Sequence, residues 1–557
     1  MFYNICKKLK IKQSKLFIFC FLFLVTLVSL YPLFQPQAID GDDIGYHLFR
    51  IEGIKNAILN GDMFAFIHPN VCHNYGYGSG FFYPQLLLYF PALLRVMGVS
   101  ATGAYKVFVI FITLLTCVSA YFSTKYISKS RYTALCFTTL FLLSQYRLTN
   151  VYIRAAVGEY CAFIFLPILL AGIFNLIYEN FDKSWILILG FWGLLCTHTI
   201  TLAISGTVFI VMLLFNIKKV FHKDIILKLI RSGLITLLLS CFYWLPMIEQ
   251  MCSGRFGFNA PWAKVSRFTF KFSRLFVMVP QQGGGIGLSI LFLLVIGILI
   301  RNRNKNIIKL ADKWCIIGIA LMLFTTDLIP WNYLDNTLAN SIQFPWRIFS
   351  VATAVLCISL AIYINEYSKG KTRKNMLVFV SMVVGTFSVV FLNPLLSRTL
   401  DIHSNYFDPN MNTAYNMGAS YCEWIPLGTD LSLINDEYHV ILENGSKVSL
   451  DYKKGTTVSF ETNDNSDYYD VPLIYYKGYS SRITLEDGSI KGLETFKSPN
   501  NNLVRVANPR GLNGKITVHY EITFLQRLSY TISILTIITI LTLALFKDFN
   551  FKKSSLE

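Results

Sequence analysis

Asp40, Asp42 and Asp43 stand within four positions of one another, and Tyr46, His47 and Arg50 follow directly. Carboxylates at this density can accept a proton as general bases or hold a divalent cation against a phosphate. Acids beside a membrane are costly to desolvate, so their presence asks for a cause. The plainer reading is a solvated loop in which an Asp caps the amphipathic run ending at Asn60, Gly61 and Asp62. Helical spacing puts Asp43 with His47 on one face and Tyr46 with Arg50 on another. Acid, imidazole and guanidinium would then gather at one surface.

Three further places carry the same kinds of group. Arg154 and Glu159 sit in NVYIRAAVGEYCAF, with Glu159 at the start of an apolar run. A Glu in the first turn is an ordinary helix-dipole partner. An Arg beside it is suited to phosphate, because its planar fork donates two parallel hydrogen bonds. His198, in CTHTIT, falls at a turn between apolar runs and reads as a structural residue or a site residue. Arg347, in SIQFPWRIF, reads as an interfacial anchor or as a ligand for a lipid phosphate. The stretch 249–283 interleaves Arg255, Lys264, Arg267, Lys271 and Arg274 with Phe and Trp, which suits anionic headgroups or a flap over a lipid donor. PQQGGGIG, 280–287, reads as a flexible connection; it lacks the Lys-Ser/Thr of a phosphate-binding P-loop.

The elements that must position these residues are membrane helices. The chain of 557 residues is 54% hydrophobic and only 15% charged, which excludes an ordinary soluble enzyme. Its net charge of +18 does not point to nucleic acid, since the Lys and Arg lie mostly in short loops between apolar runs. There they act as topology signals and lipid-bilayer contacts. Most of the twelve Cys lie inside apolar runs, and no paired spacing indicates disulfides or zinc. The run Leu16–Phe34 follows five lysines without a small-residue cleavage site and reads as a retained signal anchor.

Runs long enough to span, about 17–25 residues, occur near 16–34, 104–124, 132–147, 157–177, 232–248, 284–300, 314–330, 346–365, 376–396 and 527–546. The block 185–217 splits into two short spans turning near Thr197 to Ile200. The positive-inside rule puts the Lys-rich N-terminal tail, the basic loops and the C-terminal tail in the cytoplasm only if 81–97 lies at the surface instead of spanning. The expectation is therefore a polytopic α-helical membrane protein of about twelve spans with both termini cytoplasmic. Residues 1–396 form the transmembrane domain, with an external loop at 35–103. Residues 397–526 are rich in Asn, Asp, Gly, Ser and Tyr, and YHVILEN, KVSLDY, TTVSFET and ITVHYEI alternate as strands do. They predict an extracytoplasmic β-rich, sandwich-like domain, and 527–557 supplies a last span and a cytoplasmic tail.

The pieces DDIGYHLFRIEGI, NYGYGSGFFYPQLLLYFPALL, YIRAAVGEYCAFIFLPILL, LLCTHTITL, IQFPWRIF and VPLIYYKGY, in that order, resemble bacterial YfhO-like membrane proteins. That family is also labelled 6-pyruvoyl-tetrahydropterin synthase-related, a label that implies no pterin chemistry. More broadly the chain is similar to the GT-C superfamily of lipid-sugar-dependent glycosyltransferases. The resemblance implies inverting transfer from a polyprenyl-phosphate-linked sugar donor on the outer face of a bacterial plasma membrane. It implies a first-loop acid, which maps to Asp42 with Asp43 second, and a second-loop acid, which maps to Glu159. Relatives often carry Asp at the latter position, so metal dependence stays open, with a divalent cation such as Mg or Mn one option.

On this reading Arg154, Arg347 and His47 or Arg50 hold the donor phosphate, with Tyr46 and His198 also near substrate. The acceptor is a cell-envelope glycopolymer, such as a teichoic acid, or a lipid. The rivals are a transporter of lipid-linked sugar or polysaccharide and a non-catalytic GT-C scaffold. A transporter should carry ionisable groups at mid-membrane on broken helices, whereas here the acids gather at the ends of the spans.

Overall fold

The structure is a computed structural model that describes residues 2–260, 264–277, 284–299, 306–368, 372–402, 422–435, 437–463 and 466–554. Residues 280–283 of PQQGGGIG and 301–305 of the basic loop at 301–313 lie outside them. The chain divides into two compact units. The first comprises Met1–Ile44, Ala101–Thr236 and Ala263–Ile402; the second comprises Gly45–Ser100, Leu237–Trp262 and His403–Glu557. Most of the expected loop 35–103 thus shares a unit with the β-rich segment.

Six helices among the described residues are long and apolar enough to cross a membrane. They are Lys15–Phe34, Ala101–Ser128, Val157–Tyr178, Pro345–Tyr367, Thr372–Ser397 and Phe524–Leu545, and Lys223–Leu239 with Cys241–Ser253 makes a seventh if the two count as one. Twelve spans were expected; about six helices meet the length and composition of a span among the described residues, and the other expected runs form shorter or more polar helices. The helix expected at 132–147 stops at Leu142 after twelve residues. The 185–217 block forms helices of 12 and 17 residues, and 314–330 belongs to a helix, Asn306–Phe324, that carries Lys309, Asp312 and Lys313. The described helix within 284–300 is Leu288–Leu299. Leu86–Val96 is also too short to span, since a ~30 Å hydrocarbon core needs about 20 helical residues.

In the first unit the helix Phe349–Tyr367 is buried all round from Phe349 to Ile364, as an apolar helix at the centre of a bundle must be. The helices Phe165–Tyr178 and Ser184–Leu195 approach closely because Gly172 and Gly190 lie against the backbones of Leu187 and Leu169. A short antiparallel pair, β1 (Ala38–Ile39) with β2 (Thr399–Leu400), closes the unit where the first span gives way to the acidic loop.

The second unit contains two five-stranded antiparallel sheets. One has the order β10-β11-β7-β3-β4 and the other β5-β6-β12-β8-β9. The strands are β3 (His439–Leu442), β4 (Lys447–Ser449), β5 (Tyr452–Lys454), β6 (Thr457–Thr462), β7 (Tyr468–Ile474), β8 (Tyr479–Thr484), β9 (Ile490–Leu493), β10 (Thr495–Lys497), β11 (Leu503–Ala507) and β12 (Gly514–Tyr520). Val440, Val471 and Val504 of the first sheet share a core with Phe460, Ile483 and Ile516 of the second. That is the sandwich the alternating sequence predicts. The pair Arg505–Asp470, directly opposite across β11 and β7, is buried and bidentate at 2.6 and 2.8 Å.

Candidate active site

The site in the first unit is built on a distorted helix. Gln145–Leu148 is α-helical, Thr149–Ile153 widens to a π-turn, and the chain then bends through Ala155 at φ +50° before Val157 begins the next helix. A π-turn followed by a left-handed non-Gly residue is the kind of strained backbone that concentrates at functional sites. Tyr146, Asn150 and Arg154 recur at intervals of four and so share a side. Arg154 Nη1 donates to Asn150 Oδ1 at 2.6 Å and to Glu159 Oε2 at 2.6 Å. Tyr146 donates its hydroxyl to Glu159 Oε1 at 2.5 Å. Both Glu159 oxygens are therefore engaged, and its side chain is 1% exposed. Glu159 thus pairs with Arg154 through one oxygen and with Tyr146 through the other.

The acidic loop docks on this bend through its backbone. Asp42 N donates to Ile153 O at 2.8 Å and Asp43 N to Arg154 O at 2.7 Å. Asp40 N donates to Arg398 O at 2.9 Å beside the β1–β2 pair, which leaves Asp40 a structural position. Gly41 makes the docking possible. A Cβ there would lie 2.8 Å from Ala155 Cβ and 3.2 Å from Ala155 N. Gly41→Ala is expected to displace the loop. A misplacement near 1 Å can cost about 10²-fold in rate, so any activity this site supports should fall toward that factor while thermal unfolding of the purified protein changes little.

Asp42 is exposed and Asp43 half-buried. Burial pushes the Asp43 carboxyl above the usual carboxylate range, against the opposing pull of the Arg154 and Arg347 guanidinium groups; the negative charge of Glu159 adds to the rise. Arg347 donates from Nη1 to Ile342 O at 3.0 Å and to Gln343 Oε1 at 2.8 Å, and its guanidinium lies 5.0 Å from the Phe344 ring centre. Gln343 is itself held at φ +60°. His198 caps the helix Thr199–Phe215: its Nδ1 accepts the Thr201 amide at 3.2 Å. In the neutral ring that assigns the proton to Nε2. Glu159, Arg347 and Arg154 lie close enough to His198 to act on it electrostatically.

The structure thus groups Asp43, Arg154, Glu159, His198 and Arg347 in one charged cluster of the first unit. Tyr46, His47 and Arg50 lie on the helix Ile44–Leu59, in the second unit. There Arg50 Nη2 donates to Tyr83 O and Pro84 O, both at 3.0 Å, and its guanidinium stacks 4.3 Å from the Tyr83 ring centre. Its Nη1 meets His47 Nδ1 at 3.4 Å. Tyr46 Oη accepts the Trp424 indole N–H at 3.2 Å. These contacts tie Arg50 to the 83–84 bend. Tyr146 and Asn150 escaped the sequence reading, although the four-residue spacing to Arg154 was there to be seen.

Among the described residues, no three His, Cys, Asp or Glu side chains cluster as a metal-holding group.

These features define a polytopic helical membrane protein with a buried arginine–carboxylate site at the junction of its first two connecting segments. The chain belongs to the 6-pyruvoyl-tetrahydropterin synthase related family of membrane proteins, whose model matches residues 81–399, more than half its length. It is 20% identical over 618 residues to a protein of Lactococcus lactis subsp. cremoris described as uncharacterized, covering 95% of each chain. It is also similar to the Archaeoglobus fulgidus oligosaccharyltransferase, in the apo form at a TM-score of 0.42 and in complex with Zn and sulfate at 0.38, with 12% identity to each. Those matches cover 78% of this chain and 62% and 59% of the respective solved chains, so this chain spans less than two thirds of their length.

Proposed function

We propose that the protein is a membrane glycosyltransferase that moves a sugar, with inversion, from a polyprenyl-phosphate-linked donor to a cell-envelope glycopolymer or lipid. The observation that carries the reading is the docking of the acidic loop: Asp43 N donates to Arg154 O at 2.7 Å, which seats Asp43 beside the buried Arg154–Glu159 pair. The Asp43 carboxylate takes the proton of the acceptor hydroxyl as that oxygen attacks the anomeric carbon. The C–O bond to phosphate breaks, and the polyprenyl phosphate leaves with the bonding pair. The Arg154 and Arg347 guanidinium groups stabilise its charge, which is where fixed positive groups lower a barrier most. Glu159, with Tyr146, keeps Arg154 aimed.

Asp43 becomes the first choice for the base, and Asp42, the exposed neighbour, its support or a cation ligand. The charge distribution of the loops supports an extracytoplasmic site in a bacterial plasma membrane, with both termini cytoplasmic. Purified protein given a radiolabelled polyprenyl-phosphate sugar and an envelope polymer fraction should release polyprenyl phosphate and label the polymer. Absence of both overturns the reading; transport of the lipid-linked sugar across reconstituted vesicles without transfer would favour a transporter.

The raised proton affinity of Asp43 sets the pH dependence. The active form is the carboxylate, so turnover should fall on acidification, and it should do so at a pH above the ordinary Asp value of about 3.9. A kcat/KM profile flat down to pH 4 would remove Asp43 from the role of base.

A further inference from the structure

The second unit holds a cavity of about 450 Å³ whose chemistry the transfer step does not use. It lies where the end of the helix Ile44–Leu59, the segment around 69–74 and the β5–β6 hairpin meet. Asn56, Asn60, Asn70 and Asn74 line it, together with Tyr438 and the paired Lys453 and Lys454; no acid does among the described residues. Each carboxamide presents two donors and an acceptor, the pattern that matches vicinal hydroxyls. Asn74 Nδ2 donates to Tyr438 Oη at 2.6 Å and so fixes the ring. Lys453 is anchored too: its Nζ donates to Pro472 O at 3.0 Å and stands 5.0 Å from the Tyr438 ring centre and 5.5 Å from that of Tyr75. Burial brings the Lys453 ammonium down to about 7, so an anion bound there would favour its charged form. Lys454 is exposed at the rim.

The hairpin tip is shaped to keep this space open. Gly455 adopts φ +60°, and a Cβ on it would come within 3.1 Å of Asn60 Nδ2. Hydroxyl-matching amides, an aromatic wall and two adjacent lysines describe a ligand that is both polyhydroxylated and anionic. Lysines, compact point charges without a planar fork, suit a phosphodiester better than a bidentate carboxylate.

We propose that this cavity binds a polyol-phosphate or sugar-phosphate segment of the acceptor. The identification of the ligand as acceptor rests on the transferase reading above; the recognition of polyol phosphate does not.

The test titrates the full chain, in phosphatidylcholine nanodiscs, with short poly(glycerol phosphate), inorganic phosphate and neutral maltohexaose. Poly(glycerol phosphate) should bind tighter than either comparator. Lys454→Glu and Asn60→Ala, both at exposed positions, should each weaken it by about tenfold, the value of one charge-assisted hydrogen bond, without moving the unfolding temperature. Equal binding of inorganic phosphate, equal binding of maltohexaose, or no binding overturns the proposal. Nanodiscs containing phosphatidylglycerol separate the two sources of the same chemistry. Polymer binding that survives there supports an acceptor, and binding abolished there assigns the cavity to lipid headgroups and overturns the acceptor claim. Asp43→Asn should keep the binding while losing turnover. Binding in a wild-type protein with no transfer activity would instead overturn the transferase reading and leave the polyol-phosphate site standing.

Discussion

Asp43→Asn is expected to lower polyprenyl-phosphate release by about 10²–10⁴-fold, the range a general base contributes. The substitution keeps the shape of the side chain and leaves the backbone donation from Asp43 N to Arg154 O at 2.7 Å in place. It removes the negative charge beside Arg154 and Arg347 and the lone pair that would take the proton. Donor binding should hold or tighten, because two guanidinium groups lose a competing carboxylate. The loss therefore falls on kcat and not on KM. Asp42→Asn should cost much less, since Asp42 is exposed. Single-turnover kinetics on both variants checks the assignment, and a larger loss in Asp42→Asn would transfer the role to Asp42.

Glu159→Ala is expected to destabilise the first unit by about 3–5 kcal/mol, the cost of leaving one member of a buried ion pair alone. The side chains of Arg154 and Glu159 are only 6% and 1% exposed, and they meet at 2.6 Å. Removing the carboxylate also leaves the Tyr146 hydroxyl without its 2.5 Å acceptor. Replacing both members, as Arg154→Leu with Glu159→Met, removes the unpaired charge together with its partner, and such exchanges are often neutral. The double variant should thus recover most of the stability and none of the activity. That split separates a pair kept for function from one kept for folding. Thermal unfolding in detergent and the release assay, run on the same preparations, read it directly. A double variant as unstable as the single one would show that the pair is held by more of its surroundings than Tyr146 and Asn150.

Much of this molecule was legible in its residue order. Six spans could be read because an unbroken apolar run is a local property, and the bilayer sets its length. The sandwich strands were legible for a similar reason: β3, β6 and β12 alternate in a way that only a half-buried strand requires. Runs such as 132–147 and 314–330 show that apolarity alone does not fix where a helix ends: the first gives a helix that stops at Leu142, and the second falls in a helix that begins at Asn306 and stops at Phe324.

Residue type marked out Asp43, Arg154, Glu159 and Arg347, since charged groups at the ends of apolar runs are few and costly. Their partnership was decided only by the tertiary structure. Asp43 meets the Arg154 backbone across more than a hundred residues of chain, through a contact that depends on Gly41 having no side chain. Arg50 looked equivalent to Arg154 in the sequence, yet folding gave it two backbone carbonyls and an aromatic face, and gave Arg154 a carboxylate. The opening cluster was divided accordingly, Asp42 and Asp43 going with the first unit and Tyr46, His47 and Arg50 with the second. Composition and periodicity report what each segment can bury; which charges are buried together depends on contacts between distant segments, and these exist only once the chain has folded.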